Sequence, residues 1–368
     1  GEFKVLFWRD ADMYERWMRQ GVHAPAKDRG KPEKLGCPYD CGLCQNHERE
    51  GCCVLLELTN RCNLKCPVCF ASAGEREPGD LSLEEIGRQY DMLMERGGPF
   101  NIQLSGGEPT VREDLDRIIA LGREKGFSFF QLNTNGLRLA SEPDYAAALR
   151  EAGVSCVFLQ FDGLRPASYE ALRGRDISAE KLRAVDNCAA AGLPVVLVPT
   201  LAPGVNEDEI GGILRFALAR GKALRGVHFQ PVSYFGRFPG QTPPDESRCG
   251  LSDVLHALVE QCPELKMEHF VPRKQFDPHC DFSSTYYLDE GGRLVAMSRY
   301  DQNDEDTERT DFVQKTNKYT VKRWKGQEER VMDTPLMRFA ERTLTHSFCI
   351  SGMGFQDVWN IDLGRLHG

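Results

Sequence analysis

The sequence predicts an α/β protein built on a parallel sheet of six β/α units, curled into a complete or partial TIM-like barrel. Three observations predict it. Short apolar runs recur at regular intervals, amphipathic stretches fill the gaps between them, and the chemically equipped motifs fall just after the runs, at the C-terminal strand ends where such barrels carry their sites.

Residues 1–53 precede this alternation. They form a Trp- and Cys-bearing head with a basic, Pro/Gly-containing stretch at 27–34 and no strand–helix rhythm, which reads as an accessory region. Within 54–235 the predicted strands are 54–59, 100–104, 128–132, 154–160, 194–200 and 226–230. Helical patterns at 82–96, 113–125, 144–151, 179–191 and 207–220 lie between them, several closed by a glycine such as Gly97, Gly126 or Gly153. After Gln230 the rhythm fails. The C-terminal accessory region, 236–368, reads as α+β, with a helix at 251–261, a hairpin around 286–295 and a charged stretch at 301–325.

A net charge of -9 over 368 residues disfavours nucleic acid as a partner, because phosphate neutralisation needs a surplus of Lys and Arg. The longest apolar run, 193–201, contains two prolines and is far short of a membrane span. With no secretory signal pattern, the expectation is a cytoplasmic protein. The stretch 315–325 interleaves Lys318, Lys322 and Arg323 with Tyr319 and Trp324, a composition suited to peripheral contact with anionic headgroups, although a solvated charged face is the plainer reading.

Eight of the fourteen cysteines lie between Cys37 and Cys69, at spacings that resemble ligand sets rather than disulfide frameworks. Cys62-x3-Cys66-x2-Cys69 repeats, 25 residues on, the spacing of Cys37-x3-Cys41-x2-Cys44. The downstream triplet directly follows a strand, and three thiolates on an iron–sulfur cluster leave one iron open for a ligand. The upstream triplet has a spare thiol in Cys52 or Cys53, so it reads as a closed auxiliary cluster or a tetrahedral zinc site. Beyond these, Ser105-Gly106-Gly107-Glu108-Pro109, Asn133-Thr134-Asn135-Gly136 and Gln160-Phe161-Asp162 each follow a predicted strand. The glycines let backbone approach a ligand closely, and Glu108 offers a carboxylate to an ammonium.

The triplet at Cys62, Cys66 and Cys69, followed immediately by Phe70, resembles the radical S-adenosylmethionine (SAM) superfamily, as does the Gly106-Gly107-Glu108 motif. The resemblance implies a SAM-binding [4Fe-4S] cluster on Cys62, Cys66 and Cys69, with Phe70 near the adenine. It implies Gly106, Gly107 and Glu108 at the methionine amino group, and Thr134, Asn135, Gln160 and Asp162 as further cofactor or substrate contacts. Read together, Gly36-Cys37-Pro38-Tyr39-Asp40-Cys41-Gly42-Leu43-Cys44, Glu57-Leu58-Thr59-Asn60-Arg61-Cys62-Asn63-Leu64 and the segment from Phe348-Cys349 to Asp362-Leu363 are similar to the tetraether lipid synthase family and its relatives described as pterin methyltransferases. That similarity implies an auxiliary [4Fe-4S] cluster on Cys37, Cys41, Cys44 and Cys52, with Cys53 a bystander. A further iron site completed outside the chain is also implied, with Cys349 as one ligand or as an ordinary thiol.

The implied activity is reductive cleavage of SAM to a 5'-deoxyadenosyl radical that abstracts hydrogen from an unactivated C–H bond, with electrons from a flavodoxin- or ferredoxin-type donor. The first expectation for the substrate is a lipid, with C–C coupling of alkyl chains in lipid biosynthesis, and an apolar tunnel to the SAM site should accompany it. The alternative is radical methylation or other modification of a pterin-like or other soluble small molecule, accompanied by a compact polar pocket. A reading of another class is a non-catalytic iron–sulfur electron carrier.

Overall fold

The structure is a computed structural model that describes residues 10–18, 53–75, 79–240, 248–272, 281–288, 293–298 and 347–355. In chain order its helices are α1 (Ala11–Met18), α2 (Leu83–Glu95), α3 (Leu115–Glu124), α4 (Leu137–Ser141), α5 (Tyr145–Ala152), α6 (Pro166–Arg173), α7 (Ser178–Ala190), α8 (Ile210–Ala219) and α9 (Leu251–Gln261). Its strands are β1 (Cys53–Thr59), β2 (Asn101–Gly106), β3 (Phe130–Thr134), β4 (Cys156–Gln160), β5 (Val195–Val198), β6 (Thr200–Leu201), β7 (Leu224–Pro231), β8 (Asp281–Leu288), β9 (Leu294–Ala296) and β10 (Ser347–Met353).

All six predicted core strands form, and they pair in parallel in sequence order from β1 through β5 to β7. Pro199, which has no N–H to give to a ladder, separates β5 from β6, so the predicted run 194–200 becomes two strands. The five predicted helices form as α2, α3, α5, α7 and α8. Local signals explain the boundaries: Ser82 and Glu85 make a reciprocal capping box at the start of α2, and Gly153 ends α5 in the left-handed region at φ 117°.

The structure adds two features that the sequence pattern does not show. Strands after 235 extend the barrel sheet: β10 pairs in parallel with the free edge of β7, and β8 and β9 continue antiparallel from it. The sheet is therefore partial and open, with β1 at one edge, and ten strands long among the described residues. The head also contributes a helix. Met13 and Trp17 of α1 are buried in the main core, a pattern too short to reveal a helix in the sequence.

One face of the sheet carries this core. Leu56, Leu58, Ile102, Leu104, Phe130, Leu132, Val157, Leu159, Val195, Leu197, Val227 and Phe229 pack with Ile86, Tyr90, Ile118, Val185, Ile213 and Leu214 from the surrounding helices. Successive strand residues point to opposite faces, so the intervening positions line the concave side.

Candidate active site

The segment after β1 carries Cys62, Cys66 and Cys69, and three neighbouring strand ends hold it. Gly107 N–H donates to the Thr59 carbonyl at 2.7 Å and Glu108 N–H to the Arg61 carbonyl at 2.9 Å. A Cβ on Gly106 would stand 2.3 Å from the Thr59 oxygen, and one on Gly107 would stand 2.3 Å from the Arg61 oxygen. These glycines are thus required by the approach of the cysteine segment itself, a different reason from the ligand contact expected of them.

The opposite side is held from the segment after β7. Cys69 and Arg237 exchange backbone hydrogen bonds of 2.8 and 2.9 Å. The Arg237 guanidinium donates to the Cys66 carbonyl at 2.8 Å, the Ala73 carbonyl at 3.3 Å and the Glu75 carboxylate at 2.8 Å. Gly236, at φ 68°, sits where a Cβ would fall 2.3 Å from the Phe70 oxygen. Phe70 itself is 57% exposed, edge-on to Phe235 at a centroid distance of 6.1 Å.

The three thiols are free and partly buried. Burial pushes the Cys62 thiol up to about 11, with the Glu108, Cys66 and Cys69 charges adding to the effect, while the Leu64 N–H on its sulfur at 3.4 Å opposes it. Among the described residues no three His, Cys, Asp or Glu side chains converge as a single-ion site. A [4Fe-4S] cluster makes a different demand, one thiolate per iron, and a donor set of three sulfurs on one segment fits that chemistry.

Behind the thiols the strand ends are cross-tied. Glu108, 1% exposed, accepts from Thr110 N–H at 3.1 Å, Thr110 Oγ1 at 2.6 Å, Thr134 Oγ1 at 2.6 Å and Asn135 N–H at 2.7 Å. Asn135 Nδ2 donates to Asn63 Oδ1, between the first two cysteines, at 2.7 Å. Asp162 is fully buried and bound by Arg173, Thr200 N–H and Gln160. The carboxylates of Glu108 and Asp162 are therefore engaged within the protein. Thr134 and Asn135 likewise spend their polar atoms on this lattice.

Two basic residues escaped the sequence reading. Arg173, on α6, joins Asp162 to the cysteine segment through the Val68 carbonyl at 3.5 Å, and its positive charge is strengthened by both Asp162 and Cys66. Lys181, on α7, is fully buried and donates to the Asn135 carbonyl at 2.5 Å and Gln160 Oε1 at 2.7 Å. Burial lowers it to about 7, against the pull of Asp162. Lys181 falls in the predicted helical pattern 179–191, where it reads as an ordinary surface base, and Arg173 falls on α6, over which the sequence pattern predicts no helix. Only the neighbouring glycine at Gly174, φ 81°, hinted that α6 stops to bring Arg173 inward.

Strand register sorts the concave face into layers. Leu55, Gln103, Gln131 and Cys156 are successive partners in the lowest. Glu57 and Ser105 are partners in the next, where Asn133, Phe158, Val196, Gly226, Cys349 and Thr285 run on across the sheet. Gln160 pairs with Val198 nearest the mouth, where His228 Nδ1 lies 2.8 Å from Ser351 Oγ. Gln131 Nε2 donates to Asn133 Oδ1 at 2.7 Å, and Gln103 Nε2 to Cys53 Sγ at 3.2 Å. Leu55 apart, the face is thus polar on β1–β3 and apolar on β4–β5, where Phe129, Cys156, Phe158 and Val196 form their own cluster.

Cys37, Cys41, Cys44 and Cys52 lie outside the described residues, as does the stretch 315–325. Cys156 and Cys188 are buried thiols, as expected.

Residues 56–217 match the family described as the radical SAM superfamily. The chain is 38% identical over 324 residues to the 7,8-dihydro-6-hydroxymethylpterin dimethyltransferase of Methanocaldococcus jannaschii, covering 82% of this chain and 64% of that protein. It is 29% identical over 231 residues to the GTP 3',8-cyclase of Rhodopirellula baltica, covering 61% of this chain and 63% of that protein. The chain thus spans less than two thirds of either relative. Among solved structures, Streptococcus suis SuiB bound to S-adenosylmethionine aligns with a TM-score of 0.44 at 14% identity, over 52% of this chain and 44% of that one.

Proposed function

Since this chain carries a radical SAM domain, we propose that it modifies a soluble, pterin-like heterocycle, by methylation or related chemistry at an unactivated C–H bond. The observation that carries the choice of substrate is the concave face, where strand alternation brings Glu57, Gln103, Ser105, Gln131 and Asn133 to one side of β1–β3. A lipid tunnel calls for apolar side chains around the whole bore, and that half of the face offers only Leu55. The similarity to a protein named as a pterin dimethyltransferase supports the same choice.

Cys62, Cys66 and Cys69 are the residues that would hold the SAM-binding cluster, and Cys37, Cys41, Cys44 and Cys52 those assigned to an auxiliary one. When bound, the cluster and SAM supply a carbon radical able to take hydrogen from a C–H bond, with electrons from an external flavodoxin- or ferredoxin-type donor. The chain's own part is positioning. Arg237, Asn135 and the Gly106–Glu108 backbone fix the thiols, Asp162, Arg173 and Lys181 pack behind them, and the concave face orients the substrate.

The test is anaerobic reconstitution and reduction with SAM, in wild type and in the triple variant Cys62→Ala, Cys66→Ala, Cys69→Ala, with deuterated dihydropterin or deuterated phospholipid supplied. The expected result is 5'-deoxyadenosine from wild type only, carrying deuterium from the pterin. Label from phospholipid would transfer the reading to lipids. No 5'-deoxyadenosine at all from a fully loaded protein would leave an electron carrier.

A further inference from the structure

We propose that Glu57 is the specificity-determining residue of the substrate pocket, reading an amino-amidine edge of a flat heterocycle whose face rests on Phe158 and Val196. The inference rests on the heterocycle reading above and adds to it which edge of the ring is recognised, and by which side chain.

Glu57 is the acidic member of its layer. Leu56 and Leu58 on either side of it belong to the helix-facing core, so the strand alternation turns Glu57 to the concave side. It is exposed, and among the described residues no hydrogen bond or ion pair engages its carboxylate, whereas those of Glu108 and Asp162 nearby are fully committed. A carboxylate is an acceptor only, with two oxygens in one plane. Its natural complement is a pair of parallel N–H donors, as on the N3–H and 2-amino edge of a pterin. β1 is the edge strand of the open sheet, which leaves this carboxylate reachable from outside.

The remaining side chains in the neighbouring layers complete the fit. Ser105 pairs with Glu57 in register, and Gln103, one layer below, offers an amide with both donor and acceptor. Across the sheet, Phe158 and Val196 are direct partners in the same layer and belong to one apolar cluster. A ring lying against that wall and extending toward β1 would bring its polar edge to the carboxylate. An alkyl chain would leave Glu57 unpaired and desolvated, a penalty that discriminates against it.

The test compares two probes that differ at this edge, 7,8-dihydro-6-hydroxymethylpterin and the corresponding lumazine, which carries a carbonyl in place of the 2-amino group. Equilibrium dialysis against reconstituted protein with SAM is carried out for wild type, Glu57→Gln and Phe158→Ala. Iron content and SAM binding serve as the check that each variant is folded and loaded. Wild type is expected to prefer the pterin by about 10- to 100-fold, the range for charge-assisted hydrogen bonds. Glu57→Gln should bring the two probes to within about threefold by weakening the pterin alone, and Phe158→Ala should weaken both probes together.

A Glu57→Gln protein that still discriminates as wild type does would overturn the assignment while leaving a pterin substrate standing. A loaded wild type that binds neither probe would overturn both the assignment and the heterocycle reading.

Discussion

Arg173 grips Asp162 through two hydrogen bonds, Nε to Oδ2 at 2.6 Å and Nη2 to Oδ1 at 2.7 Å, with 9% and 0% of their side chains exposed. The pair joins the end of β4 to α6, and Arg173 then reaches the backbone between Cys66 and Cys69. Removing one partner leaves a charge stranded in the interior. Asp162→Ala is therefore expected to destabilise the cluster-free protein by about 3–5 kcal/mol, measured by urea unfolding. A loss below 1 kcal/mol would mean that the pair does not organise this end of the sheet.

The clasp from β7 makes a separate prediction. Arg237→Lys keeps the charge but cannot serve the Cys66 and Ala73 carbonyls and the Glu75 carboxylate from one planar fork. It should fold, yet retain less iron after reconstitution and show an altered electron paramagnetic resonance spectrum. Gly236→Ala adds backbone strain at φ 68° and a contact with the Phe70 carbonyl, so the larger loss of iron is expected there. Wild-type iron and spectra in both variants would show that the clasp does not set the thiol positions.

The barrel was legible in the sequence because apolar runs and glycine stops are local signals, and all six core strands and five helices form where those signals lie. The attachment of β10 to β7 was not legible, since it joins residues far apart in the chain and has no local mark. At the site, the strand-end motifs are visible in the sequence, but the contacts that they make within the protein are not. Gly106, Gly107, Glu108 and Asp162 read as ligand contacts because type and spacing are visible in sequence, whereas their use in tying strand ends depends on partners such as Thr134, Arg173 and Arg61. Burial of one base on an otherwise mixed helix leaves no periodic trace, which hides Lys181, and Arg173 lies on α6, over which no helix is predicted.

The Cys62 thiol, raised to about 11 mainly by burial, should be a poor nucleophile in the cluster-free protein at pH 8. Its alkylation, followed by mass spectrometry of the Cys62 peptide in a Cys66→Ala, Cys69→Ala background, is expected to accelerate steadily from pH 8 to 10 without a plateau. Those replacements remove two of the charges that raise it, so the midpoint should fall somewhat below the wild-type value but stay above that of an ordinary thiol, because burial persists. A plateau by pH 8.5 would contradict the burial argument.

Lys181 gives stability a pH dependence of definite sign. In the folded protein burial lowers it from 10.5 to about 7. Below about 7 both folded and unfolded chains are protonated, and the folded one bears the full cost of a buried ammonium. Between about 7 and 10.5 the unfolded chain holds a proton that the folded chain has released, so unfolding takes up a proton and folding stability rises with pH. Lys181→Met removes that titration, although it also leaves the Asn135 carbonyl and Gln160 Oε1 without their donor. The variant's absolute stability is therefore ambiguous, but its slope is not. Urea unfolding of the cluster-free proteins at pH 6.5, 8 and 9.5 should show wild type gaining on Lys181→Met at each step. Parallel curves would mean that Lys181 stays charged in the folded state, held so by Asp162 despite its burial.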